Sequence, residues 1–152
     1  MAKPRQKYFT SVIKPEDGSR VMEEFRNLYE WINQNPDTIL IDIKTTDASV
    51  TDIAAILVSE GDVFFIEVWV IGKKSDESQR AYYHLEGLFY RNTSGNVTQQ
   101  GSTTSLSTIE SDANWNTTLN ADTTAQTIDV RITGVAATTI FWKAIIKYQR
   151  IA

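Results

Sequence analysis

The segment VFFIEVWVIG (63–72) decides the fold class, because its β-branched and aromatic side chains predict a long β-strand. The apolar run IAAILV (53–58) precedes it, and Glu60-Gly61-Asp62 separates the two runs. A short loop that contains glycine between two such runs is typical of a β-hairpin. The sequence therefore predicts antiparallel β-structure here, with a hairpin formed by residues 53–58 and 63–72.

Apolar residues recur with a period of two on both sides of this segment, from residue 37 onward. The Ser/Thr-rich residues 97–112 predict a long exposed loop or weak edge strands. The alternation of Ile128, Val130 and Ile132, followed by Gly134, predicts a final hairpin with residues 140–148. The further predicted strands are ILIDI (39–43), AYYHLEGLFYR (81–91) and NWNTTLNA (114–121). About seven strands at this spacing predict a mainly β protein, with a jelly-roll-like antiparallel β-sandwich over residues 37–152.

Residues 63–72 carry large apolar side chains on both faces, and Phe141 and Ile145 lie opposite the face of Trp142. The outer faces of a monomeric sandwich are normally polar, so apolar side chains there need a second cover. Trp142, on the regular face of the last strand, is predicted in the core. The pattern therefore favours an oligomer over a monomer.

One α-helix is predicted over residues 20–35, with Ser19 as its N-cap and Pro36 after its end. A helix of this length is marginal alone in water. Its apolar face therefore packs either on the chain's own sheet or on the same helix of neighbouring subunits. Four apolar residues at steps of 4, 3 and 4, as in a coiled coil, form the predicted oligomer interface: Val21, Phe25, Leu28 and Ile32.

Residues 1–19 form a predicted basic arm ahead of an acidic body. The first twenty residues hold five basic and two acidic side chains, whereas the whole chain has a net charge of −4. Such an arm is typical of attachment to an acidic surface or to nucleic acid, although a solvated, partly ordered tail accounts for the charges equally well. Nucleic acid is not expected as the main partner, because most of the surface would repel phosphates. The residues predicted to anchor the arm are Lys3, Arg5, Lys7, Tyr8 and Phe9.

The residue types exclude several kinds of chemistry. The chain has no cysteine and one histidine, His84, so disulfide frameworks, cysteine-ligated zinc and cysteine nucleophiles are excluded. The common catalytic and phosphate-binding motifs are absent. His84 lies in the middle of a predicted strand between aromatic residues, which favours a structural role over that of an acid or base. We therefore expect no enzyme, metal or cofactor, with an enzyme that uses His84 as the competing hypothesis.

The sequence lacks the patterns of membrane-spanning and secreted proteins. No run approaches eighteen apolar residues, so no membrane insertion is expected, and the first eighteen residues lack the apolar region of a secretory signal. Carbohydrate binding by a β-sandwich module is the main alternative function. Tyr90 and Trp115, near loops rich in Asn and Thr, are the candidate ligand contacts, although core packing also accounts for them.

Residues 48–151 resemble the β-domain of small tail-fibre, head-fibre and capsid-decoration proteins of bacteriophages. The resemblance lies in the order of FFIEVWVIGKKSD, AYYHLEGLFYRNTSGNVTQQGS, SDANWNTTLNADT and IDVRITGVAATTIFWKAIIKY. It implies a non-enzymatic virion protein, made in the host cytoplasm and exposed on the particle. It also implies a homo-oligomer, typically a trimer, that docks on a capsid, neck or tail protein and contacts a host surface glycan. The head or tail location and the identity of the docking protein stay open.

Overall fold

The computed structural model describes residues 37–152 and, inside the predicted helix, Glu23, Arg26 and Asn27. These three residues are helical and exposed. The predicted arm residues Lys3, Arg5, Lys7, Tyr8 and Phe9 lie outside the described residues, as do the predicted interface residues Val21, Phe25, Leu28 and Ile32. Their roles, and the boundaries 1–19 and 20–35, stay predictions.

Thr38–Ala152 forms one compact unit built from β-strands. Its eight strands are β1 Thr38–Thr45, β2 Val50–Leu57, β3 Val63–Lys74, β4 Arg80–Arg91, β5 Val97–Glu110, β6 Asn116–Asp122, β7 Thr127–Thr133 and β8 Ile140–Ile151. A five-stranded sheet has the order β1-β8-β3-β4-β5, and a three-stranded sheet has the order β2-β7-β6. All pairings are antiparallel, which confirms the predicted antiparallel β-sandwich.

The strand order is only partly that of a jelly roll. Strand β1 pairs with β8 and β2 pairs with β7, which is the nesting of early strands on late strands that a jelly roll requires. The middle of the chain departs from this order, because β3, β4 and β5 follow one another as neighbours in the five-stranded sheet. The five-stranded sheet is therefore wider than its partner, and β3 is its central strand.

Two predicted hairpins are wrong. Strands β2 and β3 lie in different sheets, and so do β7 and β8, so each connection crosses between the sheets. At the first crossing the Val58 amide donates to Gln126 O at 2.9 Å beside the three-stranded sheet, while the Arg91 amide donates to Asp62 O at 3.0 Å beside the other sheet. The Asp62 carboxylate accepts from the Ser59 amide at 3.0 Å and fixes the turn between these two attachments.

Strand β5 is an edge strand, as its polar composition predicts. Its pairing with β4 shifts register after His84 and again after Glu86, so it is bulged twice. Gly101 adopts a φ of +76°, in the left-handed region that favours glycine, near the second shift. The β5 edge of the five-stranded sheet is therefore polar and irregular along a strand of fourteen residues.

The core lies between the two sheets. Ile128, Val130 and Ile132 are fully buried, and Trp142 is buried as predicted. The Trp142 ring packs edge-on against Trp115, with 5.4 Å between ring centroids, and its Nε1 donates to Thr45 Oγ1 at 2.9 Å. This tryptophan pair fills the space between the sheets where β3 carries Gly72.

Replacing Gly72 with alanine is expected to destabilise the fold by about 1 to 3 kcal/mol, the usual cost of overpacking a core. A Cβ at this position would lie 2.7 Å from Trp142 Cζ3, and the Trp142 ring is buried. The measurement is urea unfolding of Gly72→Ala in the wild-type and Trp142→Phe backgrounds. The smaller ring should relieve the clash, so an equal cost in both backgrounds would contradict this account.

Candidate functional site

The outer face of the five-stranded sheet is the side of that sheet turned away from the core, and it is unusually apolar. Its side chains alternate along each strand with the buried ones, so on β3 they are those of odd-numbered residues. Ile71 is 52% exposed and Phe141 is 49% exposed. The other exposed large apolar residues of this face are Leu40, Phe65, Leu88, Ile109, Ile145 and Ile151. Large side chains on both faces of residues 63–72 predicted this feature.

The strand register places the outer-face side chains in rows across the sheet. Trp69 stands between Ile145 of β8 and His84 of β4. In the next row towards the start of β3, Glu67 stands between Lys147 and Glu86. The apolar residues therefore surround a central group of charged and aromatic side chains.

The central group is held together by three contacts. His84 Nε2 lies 2.8 Å from Glu67 Oε1, and the imidazole stacks on the Trp69 ring with 4.9 Å between centroids. Lys147 Nζ lies 5.4 Å from the centre of the same indole. The His84 and Glu67 side chains are partly buried, at 19% and 30% exposure. The indole is thus fixed by its own neighbours and is not a free platform for stacking a sugar.

Two shallow grooves lie on the same face. One, of about 290 Å³, is lined by Ile71, Phe141 and the ion pair of Asp42 with Lys143, whose Oδ1 and Nζ are 3.5 Å apart. The other, of about 280 Å³, lies over β4 and β5 and is lined by residues that include Tyr82 and Ile109. Because Ile71 and Tyr82 are cross-strand neighbours, the grooves flank one continuous ridge. Grooves and a ridge on an apolar sheet favour contact with another protein surface.

The outer face of the three-stranded sheet carries a charged network as well as the exposed side chains of Val50 and Leu57. Arg131 donates to Asp52 Oδ1 at 2.6 Å and to Asp129 Oδ2 at 3.0 Å. The hydrogen bond to Asp52 is the main cause that raises the pKa of Arg131. Asp129 is buried, and its other carboxylate oxygen accepts from Thr127 Oγ1 at 2.6 Å. This network is internally satisfied, which is typical of a structural role.

The two predicted ligand contacts have different outcomes. Trp115 is 1% exposed and packs on Trp142, so its prediction as a ligand contact is wrong: no ring face reaches the surface. Tyr90 lies half-buried on the outer face of the five-stranded sheet, between Val63 and Thr98, and its role stays a prediction. Tyr83 is also in the core, where burial and a hydrogen bond to Glu110 at 2.7 Å raise its pKa.

Within residues 37–152 and the three described helical residues, no cluster of three or more His, Asp or Glu side chains could hold a metal ion. In the same part of the chain, no helix has the length and hydropathy needed to cross a membrane.

No protein-family model and no curated protein matches the chain. The solved structures that resemble it include phage tailspike proteins. The tailspike protein of Acinetobacter baumannii phage AM24 matches 73% of this chain at 7% identity, with a TM-score of 0.41. The tailspike protein of Acinetobacter phage vB_ApiP_P1 matches 74% at 10% identity, with a TM-score of 0.39. The chain spans 25% and 21% of the length of these two proteins, respectively.

Proposed function

We propose that this chain is a non-enzymatic structural protein of a bacteriophage virion, of the fibre or decoration type, that works as a homo-oligomer. The assembly is a trimer, held in part by the predicted helix over residues 20–35. The basic arm docks on a capsid, neck or tail protein, and the sandwich is exposed on the particle. The loops 92–96 and 123–126, which are joined by the hydrogen bond of Gln126 Nε2 to Asn96 Oδ1 at 2.8 Å, face outward, where a host surface glycan is the expected ligand class.

The observation that carries this proposal is the apolar outer face of the five-stranded sheet. A monomer in water would leave Ile71, Phe141 and Ile145 exposed together. Contiguous apolar surface of this kind is typical of sites that bind another protein. The resemblance of residues 48–151 to phage fibre and decoration domains supplies the biological context.

The proposal gives His84 a structural role. Its imidazole is stacked on Trp69 and bonded to Glu67, which are contacts that fix a side chain in place. A catalytic histidine would instead need a nucleophile or substrate at its free nitrogen.

Size-exclusion chromatography with light scattering tests the assembly on the full chain. We expect the wild type at about three times the chain mass of 17.2 kDa, and a smaller mass for Leu28→Asp, because a charge in a coiled-coil seam opposes packing. Asn27→Asp adds a charge at an exposed helical position and is the matched control. A monomeric wild type would overturn the proposal.

Purified particles test the location. Immunogold labelling and mass spectrometry of virions should find the chain as a stoichiometric component. Glycan-array binding by a monomeric protein, lost in Tyr90→Ala, would support the carbohydrate-binding module instead.

A further inference from the structure

We infer that the outer face of the five-stranded sheet binds a second copy of this chain about a symmetry axis parallel to β3. In this arrangement the β8 side of one copy packs against the β4 side of the next. The inference rests on the proposed assembly of identical copies, and it adds the surface, the position of the axis and the residues that meet.

The chemistry of the face favours a protein over a sugar. Its most exposed apolar side chains are mainly aliphatic, with Ile71 at 52% and Leu40 at 59%. Sugars are recognised through free aromatic ring faces and many hydroxyl hydrogen bonds, whereas aliphatic surface gains free energy only by leaving water. Trp69, the largest side chain of the face, is already contacted by His84 and Lys147.

The position of β3 makes it the natural place for an axis. It is the central strand, with β8 and β1 on one side and β4 and β5 on the other. At a strand spacing of about 4.8 Å the outermost strands are about 19 Å apart. With one further strand spacing at each corner, three such sheets around a parallel axis lie about 7 Å from it. That distance is close to the reach of Phe65, Trp69 and Ile71, which point from β3 to the outer face.

The charges of the two sides are complementary in one row. Strand β8 presents Lys147 there and β4 presents Glu86, whereas Lys143 of β8 and Arg80 of β4 stand in other rows. Lys147 and Glu86 occupy one row on opposite sides of Glu67. Rotation about an axis parallel to β3 does not change the position of a residue along that axis. Lys147 of one copy therefore meets Glu86 of the next. A two-fold axis and a three-fold axis both produce this contact, and Glu67 near the axis keeps its partner His84.

Disulfide trapping tests the contact, and the chain is suited to it because it has no cysteine. The full-length double variant Glu86→Cys/Lys147→Cys is oxidised and run on a non-reducing gel. Within one copy the two positions are two strands apart, which at about 10 Å is too far for a disulfide. We expect covalently linked oligomers whose limiting size is three chains, because β8 and β4 converge at the corners of a three-fold assembly. The facing sheets of a two-fold dimer would lie about 10 Å apart, too far for this disulfide.

The matched control places the cysteines on the other sheet, as Ala55→Cys/Asn120→Cys. Both residues lie opposite Asp129 of the central strand β7, as Glu86 and Lys147 lie opposite Glu67. The control should stay unlinked. Linking in the control to the same extent would overturn the inference, because it would indicate random collision.

A second pair of variants measures how much the apolar side chains of the outer face contribute to the association of copies. Ile71→Lys should weaken association at least about tenfold, whereas Leu57→Lys, similarly exposed on the outer face of the three-stranded sheet, should leave it unchanged. Circular dichroism checks that both variants are folded. Suppose that the wild type is oligomeric, the double-cysteine variant stays unlinked and Ile71→Lys does not weaken association. That result would overturn this inference and leave the proposed assembly standing. A monomeric wild type would overturn both.

Discussion

Trp142→Ala is expected to lower the free energy of unfolding by about 3 to 5 kcal/mol, the usual cost of removing a buried aromatic side chain. The ring is 2% exposed and packs on Trp115, so its loss leaves a cavity between the sheets. It also removes the donor to the buried hydroxyl of Thr45. The free energy of unfolding of most domains is only about 5 to 15 kcal/mol. Much of the variant is therefore expected to unfold at moderate urea concentrations. Urea titration followed by far-ultraviolet circular dichroism measures the change.

Phe141→Ala is the matched control, since Phe141 precedes Trp142 and points to the opposite face of the same strand. It is 49% exposed, so its truncation is expected to cost about 1 kcal/mol or less in dilute protein. Equal costs for the two variants would contradict the assignment of inner and outer faces on β8.

Arg131→Met is expected to lower the free energy of unfolding by about 3 kcal/mol, because it leaves the buried carboxylate of Asp129 without its cation. The Asp129 side chain is 3% exposed, and Arg131 is its ion-pair partner at 3.0 Å. Methionine keeps most of the aliphatic length of arginine, so the loss of packing is small. The measurement is the midpoint of urea unfolding compared with that of the wild type.

Lys143→Met is the control for the effect of charge removal at an exposed site. Its pair with Asp42 spans 3.5 Å, and both side chains are more than half exposed. Exposed ion pairs contribute about 0 to 1 kcal/mol to the free energy of unfolding. The urea midpoint of this variant should therefore be close to that of the wild type. A cost for Lys143→Met that matches the cost for Arg131→Met would show that burial does not set the strength of these pairs.

The period of two in the sequence was sufficient to assign the fold class, because it specifies which side of each strand is buried. Ile128, Val130 and Ile132 illustrate this, since all three were predicted on one face and all are fully buried. The period does not specify which strand is the neighbour. The crossing between β2 and β3 depends on contacts of Asp62 with Arg91 and of Val58 with Gln126, which are distant in sequence. Local turn chemistry therefore predicted a hairpin where the chain changes sheets.

The candidate site was predicted in part. Large side chains at alternate positions of residues 63–72 indicated an apolar outer face, and the structure has it. The contact of His84 with Glu67 and Trp69 depends on the register of β3 on β4, which no local pattern specifies. Core packing was the alternative for Trp115, and the structure has it: Trp115 and Leu119 are an even number of residues apart and are both buried.

The irregular edge of β5 bears on how closely copies of this chain can be crowded. An unpaired strand edge is a template on which a neighbouring chain can extend the sheet, and such growth ends in fibrils. Two bulges and a run of hydroxyl side chains interrupt that template along the widest sheet of the molecule. Along β5, a neighbouring copy therefore finds no regular backbone edge on which to extend the sheet, even at high local concentration.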